Sequence, residues 1–96
     1  LRSERLITKF VLKFPGDPSF SQLQSTLEEK NVEEAFRAAH TLKGVAQNLG
    51  FTPLYEATAT LTEVLRAGNL PEDDNMMNAV AKEYERTVAA IEQLNA

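Results

Sequence analysis

The chain has 96 residues, a formal net charge of −4 at pH 7 and 43% hydrophobic residues, the size and composition of one small globular domain. The acidic balance argues against nucleic-acid binding, which needs clustered lysine and arginine. The absence of cysteine excludes disulfides and thiolate sites, and no apolar run is long enough to span a membrane. We expect a cytoplasmic monomer. The opening Leu1 in place of Met is what we expect of a trimmed chain or of a piece of a longer protein.

Apolar residues at spacings of three and four predict helices throughout the chain, and no segment alternates with the period of a strand. The first predicted helix runs from Ser3 to Phe14 and stops at Pro15-Gly16. Asp17 and Pro18 are interpreted as the N-cap and first residue of a second helix that ends near Lys30.

The third predicted helix runs from Val32 to Leu49. Asn31 and Glu34 form the pattern of a capping box, in which each side chain satisfies a backbone N–H of the first turn. Gly50 stands where a left-handed C-terminal cap is expected. The apolar stripe of this helix comprises Ala35, Phe36, Ala39, Leu42, Ala46 and Leu49.

Two further helices complete the prediction. The fourth begins at Thr52-Pro53 and stops at Gly68, and the fifth follows the polar turn 69–74 and continues to Leu94. We expect two acidic residues in the first turn of the fifth helix, near the positive end of its dipole. Because short connections favour antiparallel neighbours, the predicted fold is all-α: an up-and-down antiparallel four-helix bundle with an additional short N-terminal helix.

The only histidine, His40, lies about 135° from the centre of the apolar stripe on a helix that turns by 100° per residue. Its imidazole should therefore face solvent. Arg37, Gly44 and Gln47 lie on the same outward side, and Lys43 lies between that side and the edge of the core. An imidazole is largely uncharged at pH 7, and its neutral ring nitrogen is a competent nucleophile.

Gly44 is unexpected inside a helix, where glycine costs about 1 kcal/mol relative to alanine. The missing Cβ would leave room beside His40 for a tetrahedral phosphoryl group and for the backbone of another protein. Lys43 could then pair with the phosphoryl oxygens. The alternatives are that Gly44 allows close packing of another helix, that Lys43 is a solvated charge and that His40 is an ordinary surface residue.

Residues 39–50, AHTLKGVAQNLG, resemble the signature of histidine phosphotransfer domains, which is His-x-Leu-Lys-Gly followed by a small residue and a later glycine. The family has two helices before the histidine helix and two after it, so the resemblance covers essentially the whole chain as one domain, residues 1–96. It implies a phosphohistidine carrier of a two-component phosphorelay. The carrier would accept a phosphoryl group from the aspartate of one receiver domain and pass it to another.

The resemblance also implies roles for individual residues. Nε2 of His40 would be the phosphoacceptor, Lys43 would stabilise the phosphoryl charge and Gly44 would give steric access. The partners would be response-regulator receiver domains, which bring the Mg²⁺, and a hybrid sensor histidine kinase. The domain itself would have no cofactor and no kinase activity. Further binding candidates are Gln47 for the phosphoryl group, Ile7 and Phe36 for an apolar docking patch, and Arg37 beside it.

Two other functions remain open. The same fold serves as the kinase substrate in chemotaxis-type histidine kinases, where a kinase domain of the parent chain would phosphorylate His40. A non-catalytic adaptor could instead bind another helical protein through the exposed face. A metal site is not supported, since one histidine without cysteine or a second histidine at i+4 cannot build a typical one.

Overall fold

The computed structural model describes the backbone of residues 2–94 and the side chains of residues 8–94. Its described part contains no strand and five α-helices: α1 (Arg2–Lys13), α2 (Ser19–Glu28), α3 (Val32–Leu49), α4 (Thr52–Arg66) and α5 (Asn75–Leu94). A short 3-10 helix, Phe14–Gly16, joins α1 to α2. The predicted all-α bundle with an additional N-terminal helix is confirmed. No helix in the described part of the chain combines the length and the apolar character needed to cross a membrane.

Helix α3 lies at the centre of the bundle, packed against α2 and α4, while α5 packs on α4 and α1 makes smaller contacts with α3 and α5. Alanine favours helix formation and lets neighbouring backbones approach closely. The predicted stripe is largely confirmed, although Phe36 and Leu49 are only half-buried and Ala38 is buried without having been predicted. The buried residues of α3 are Ala35, Ala38, Ala39, Leu42 and Ala46.

The start of α3 forms only half of the predicted capping box. The side-chain oxygen of Asn31 accepts a hydrogen bond from the backbone N–H of Glu34 at 3.1 Å. The reciprocal bond is absent because the backbone N–H of Asn31 donates to the carbonyl of Thr26 at 2.9 Å, which closes the end of α2. The Glu34 carboxylate is used instead by Arg37, whose Nη1 lies 3.1 Å away.

The end of α3 is the predicted left-handed cap. Gly50 has a φ of +78°, and its backbone N–H donates to the carbonyls of Ala46 and Gln47. The chain then turns directly into α4, so Gly50 and Phe51 are the whole connection between the two helices. This short turn fixes how α4 lies along α3.

Replacing Gly50 with alanine should lower the free energy of unfolding by about 1 kcal/mol, because a Cβ is disfavoured in the left-handed region. A steric clash should add nothing, since a Cβ at this position would meet no atom within 4 Å. Urea denaturation followed by circular dichroism measures the change. Gly50→Asn is the matched variant, because asparagine tolerates positive φ and should retain more of the stability. Equal stability of Gly50→Ala and the wild type would contradict the capping role.

The first two helices begin and end slightly differently from the prediction. Helix α1 stops at Lys13, and Phe14 belongs to the 3-10 turn. Asp17 is not the N-cap residue of α2: Pro18 occupies that position and the helix starts at Ser19. The Asp17 carboxylate nevertheless accepts a hydrogen bond from the Ser19 N–H at 2.8 Å, so it still satisfies a donor at the helix start.

Four aromatic rings tie this N-terminal turn to α5. The buried ring of Phe14 contacts Phe51 and Tyr84, with centroids 5.2 and 5.6 Å away. Phe20 of α2 stacks on Tyr84, with the two ring centroids 3.9 Å apart. Burial raises the pKa of the Tyr84 hydroxyl above its usual value, and the negative charge of Asp17 adds to the rise. The cluster closes the end of the bundle at which α3 turns into α4.

The expectation of two acidic residues in the first turn of α5 is wrong. The helix begins at Asn75, and its first turn contains no acidic residue. Asp73 accepts a hydrogen bond from the backbone N–H of Asn75 at 2.9 Å, and the carbonyl of Asp74 accepts one from Asn78 at 2.8 Å. The Asp74 carbonyl makes the first hydrogen bond of the helix, while the Asp73 carboxylate makes a local bond just before it, so the acidic run precedes the helix instead of joining it.

Candidate functional site

His40 lies at the middle of α3, on the face opposite the buried alanines, and its side chain is exposed as predicted. Within the described residues, no protein group forms a hydrogen bond with either imidazole nitrogen. A neutral imidazole in this position offers a nitrogen lone pair to an incoming electrophile.

The imidazole rests against an aromatic ring. Phe36, one helical turn before His40, stacks on it with ring centroids 5.7 Å apart and an angle of 22° between the ring planes. Phe36 is half-buried, so its ring is held by the bundle on one side and supports the imidazole on the other. This contact restricts the orientations that the imidazole can adopt.

Arg66, at the end of α4, is the residue of the site that the sequence did not indicate. Its guanidinium carbon lies 5.1 Å from the centroid of the Phe36 ring, in a cation–π arrangement. The imidazole and the guanidinium thus share Phe36 as a common neighbour. Only the packing of α4 against α3 brings them together.

Lys43 lies three residues after His40, so the two side chains are neighbours on the helix surface. It is half-buried, as expected for a residue between the exposed face and the edge of the core. None of the described carboxylates lies within ion-pair distance of its ammonium group. The charge of Lys43 is therefore available to an anion beside His40.

Gly44 opens a notch on the outward side of α3. A Cβ built at this position would meet no atom within 4 Å, so the alternative that Gly44 allows close packing of another described helix is wrong. Its backbone does not explain the glycine either, because the positive φ values among the described glycines occur at Gly50 and Gly68. Neither packing nor backbone conformation requires a glycine here.

Arg37 and Gln47 are exposed on the same side as His40, as predicted. The Arg37 guanidinium is engaged by two carboxylates of the first turn of α3: Nη2 lies 3.5 Å from Glu33 and Nη1 lies 3.1 Å from Glu34. The Ile7 side chain lies outside the described residues, so its docking role stays a prediction. The described residues contain no group of three or more aspartate, glutamate or histidine side chains placed to hold a metal ion.

An apolar groove of about 750 Å³ runs beside the second half of α3, and the sequence reasoning did not identify it. Its α3 wall includes Val45 and Asn48, which follow Gly44 by one and four residues. Its other wall includes Phe10 of α1, whose side chain is 56% exposed. The groove therefore lies between α1 and the second half of α3, and His40 is not among its lining residues.

The order of these features along α3 agrees with a known family. The sequence model of the Hpt domain matches residues 16–93. The chain belongs to the Hpt domain family. The match begins in the 3-10 turn and includes α2, α3, α4 and all but the last residue of α5, so α1 lies outside it. Comparison with curated proteins and with solved structures found no match. Membership of the family implies histidine phosphotransfer in a phosphorelay.

Proposed function

We propose that this Hpt domain carries a phosphoryl group on Nε2 of His40, which it accepts from the aspartyl phosphate of one receiver domain and passes to another. The observation that carries the proposal is the surroundings of His40. The exposed imidazole of the only histidine is followed on the same helix by an ammonium group without a described carboxylate partner, Lys43, and by an open notch, Gly44.

The transfer needs only one nucleophile from this chain. The Nε2 lone pair attacks phosphorus in line with the bond to the aspartate oxygen of the receiver. The N–P bond forms while that P–O bond breaks, and the aspartate carboxylate leaves with the electron pair. The imidazole keeps its Nδ1 proton during the attack and exchanges it with water afterwards. The same steps in reverse phosphorylate the next receiver.

The neighbours of His40 act on the phosphoryl oxygens and on the partner. Lys43 provides a positive charge where negative charge is transferred, and the amide of Gln47, one turn beyond Lys43 on the exposed face, would donate a hydrogen bond to a phosphoryl oxygen. Gly44 lets the receiver backbone approach. Phe36 contributes to an apolar docking patch that excludes water from the transfer site, and Arg37 lies beside it.

Replacing Lys43 with alanine should slow phosphoryl transfer from a receiver by roughly 10- to 100-fold, because a hydrogen bond to a charged group contributes about 1.5–3 kcal/mol. The free energy of unfolding should change by less than about 0.5 kcal/mol, since Lys43 has no ion-pair partner among the described residues. Rapid-quench kinetics and urea denaturation measure the two quantities. Lys82→Ala removes an exposed lysine of α5 as the control. A Lys43→Ala variant that failed to fold would make this lysine structural.

We further propose that the domain acts as a monomer in the cytoplasm. Hpt domains work with receiver domains and kinases, so the partners we expect are response-regulator receivers and a hybrid sensor histidine kinase. The receiver would supply the Mg²⁺ from its own acidic pocket, and this domain would contribute neither a cofactor nor kinase activity.

The decisive experiment mixes the purified domain with phosphorylated receivers and Mg²⁺ and follows the phosphate. We expect phosphate to appear on the domain in a form that acid hydrolyses and base does not, which is the behaviour of a phosphorus–nitrogen bond. Several receivers must be tried, because pairing is selective. Binding of receivers without any transfer across that panel would reject the carrier function in favour of an adaptor.

A further inference from the structure

We infer that Arg66 is a second cation for the phosphoryl group on His40, held ready over Phe36 by Glu63. The inference rests on the proposed function and adds a residue from α4 to a site otherwise built on α3. It follows from three observations: the shared contact with Phe36, the positions of the cations along α3, and the free donors of the Arg66 guanidinium.

The shared contact limits how far Arg66 can be from the phosphoryl group. Its guanidinium carbon lies 5.1 Å from the centroid of the Phe36 ring, and the imidazole centroid lies 5.7 Å from the same point. A phosphoryl group on Nε2 extends beyond the imidazole into solvent. The Arg66 side chain is 50% exposed, so solvent leaves its guanidinium room to turn toward the phosphoryl group.

Lys43 and Arg66 approach His40 from opposite directions along α3. Lys43 follows His40 by three residues, whereas Phe36, under the guanidinium, precedes it by four. With a rise of about 1.5 Å per residue, the backbone of His40 lies along the helix axis between that of Phe36, whose ring the guanidinium contacts, and that of Lys43. A phosphoryl group has three acceptor oxygens and close to two negative charges, so it can accept from both sides at once.

Arg66 also has donors to spare. Its Nε lies 3.1 Å from Oε2 of Glu63, and the terminal amino groups have no hydrogen-bond partner among the described residues. A guanidinium presents five N–H donors in a planar fork that matches phosphoryl oxygens. Glu63 therefore positions the arginine without occupying the donors that would face the phosphoryl group.

Arg37 is nearer to His40 in the sequence but is less suited to this role. Both of its terminal nitrogens already face carboxylates, Glu34 at 3.1 Å and Glu33 at 3.5 Å. A phosphoryl group would have to displace these partners before it gained a donor. The comparison selects Arg66 as the second cation.

The test phosphorylates the domain with phosphoramidate, a small donor that needs no receiver. Nε2 attacks its phosphorus, the donor N–P bond breaks and ammonia leaves. A ³¹P NMR titration then measures the pH midpoint at which the phosphoryl group on His40 takes up its proton. A neighbouring cation favours the dianion of the phosphoryl group, so Arg66→Ala and Arg66→Gln should each raise this midpoint by about 0.5 pH unit. Arg66→Lys keeps a positive charge, so its midpoint should lie between those of Arg66→Ala and the wild type.

Arg86→Ala is the matched control, since Arg86 pairs with Glu83 of α5 at the same i,i+3 spacing, 3.6 Å away. Its midpoint should equal that of the wild type. Wild-type protein that takes up no phosphate from phosphoramidate or from any receiver would reject the proposed function itself. If the Arg66 variants became phosphorylated but kept the wild-type pH midpoint, only this inference would be rejected. If they also accepted phosphate from a receiver more slowly, Arg66 would instead belong to the surface that binds the receiver.

Discussion

Replacing His40 with glutamine should reduce phosphoryl uptake from a receiver to the background of the assay while leaving the fold intact. The lone pair of an amide nitrogen is delocalised into the carbonyl, so glutamine occupies a similar volume without providing a nucleophile. Because the chain contains no second histidine and no cysteine, no other imidazole and no thiolate can take over. Loss of a nucleophile is among the most damaging changes known in group transfer, often exceeding 10³-fold.

The stability of this variant separates a chemical loss from a structural one. The imidazole is exposed, and the aromatic contact that the variant would lose is the one with Phe36, so the free energy of unfolding should stay within about 0.5 kcal/mol of the wild type. Thr41→Ala, at the exposed position next along α3, serves as the control and should retain transfer. If His40→Gln accepted as much acid-labile phosphate as the wild type, the phosphoacceptor would lie elsewhere.

Replacing Gly44 with leucine should change stability and transfer in opposite directions. The free energy of unfolding should rise by about 0.5–1 kcal/mol, because leucine is the better helix former and the space beside Gly44 is open. Transfer from a receiver should fall by roughly 10- to 100-fold, since a side chain forced into a packed interface costs about 1–3 kcal/mol. Few surface substitutions are expected to stabilise a domain while impairing its function.

Two phosphoryl donors, one small and one a protein, show which step of transfer is impaired in the Gly44→Leu variant. Uptake from phosphoramidate should stay within a few-fold of the wild type, because a small donor does not bring a protein backbone close to α3, whereas uptake from a receiver should fall. Ala90→Leu adds the same bulk at an exposed position of α5 and should leave both rates unchanged. A loss of stability in Gly44→Leu would show that this glycine serves the fold.

The helices could be predicted because their signals are local and repeated. The period of the apolar residues located all five helices, and Gly50 marked the end of α3. Errors arose where a local hydrogen bond competes with the helix, as at Asp17 and before Asn75. Such competition depends on tenths of a kcal/mol per residue and on packing that the period does not encode.

The residues of the candidate site also fall into those that the sequence could place and those that it could not. His40, Lys43 and Gly44 share one helix, so the angle per residue was enough to place them together. Arg66 could not be placed, because its position over Phe36 depends on how the two-residue turn after α3 sets α4 against it. The groove beside Val45 depends in the same way on where α1 lies. A contact between residues of different helices can be located only once the packing of those helices is known.

The alanine face of α3 has a consequence for how such a domain can be redirected to a new partner. Alanines at four buried positions leave almost no volume with which to vary the spacing of α2, α3 and α4. Substitutions at these buried alanines should therefore disturb the packing of the three helices that position His40. The exposed residues around His40 contribute little to stability. We therefore expect substitutions at exposed positions such as Phe10 and Asn48 to need no compensating redesign of the interior.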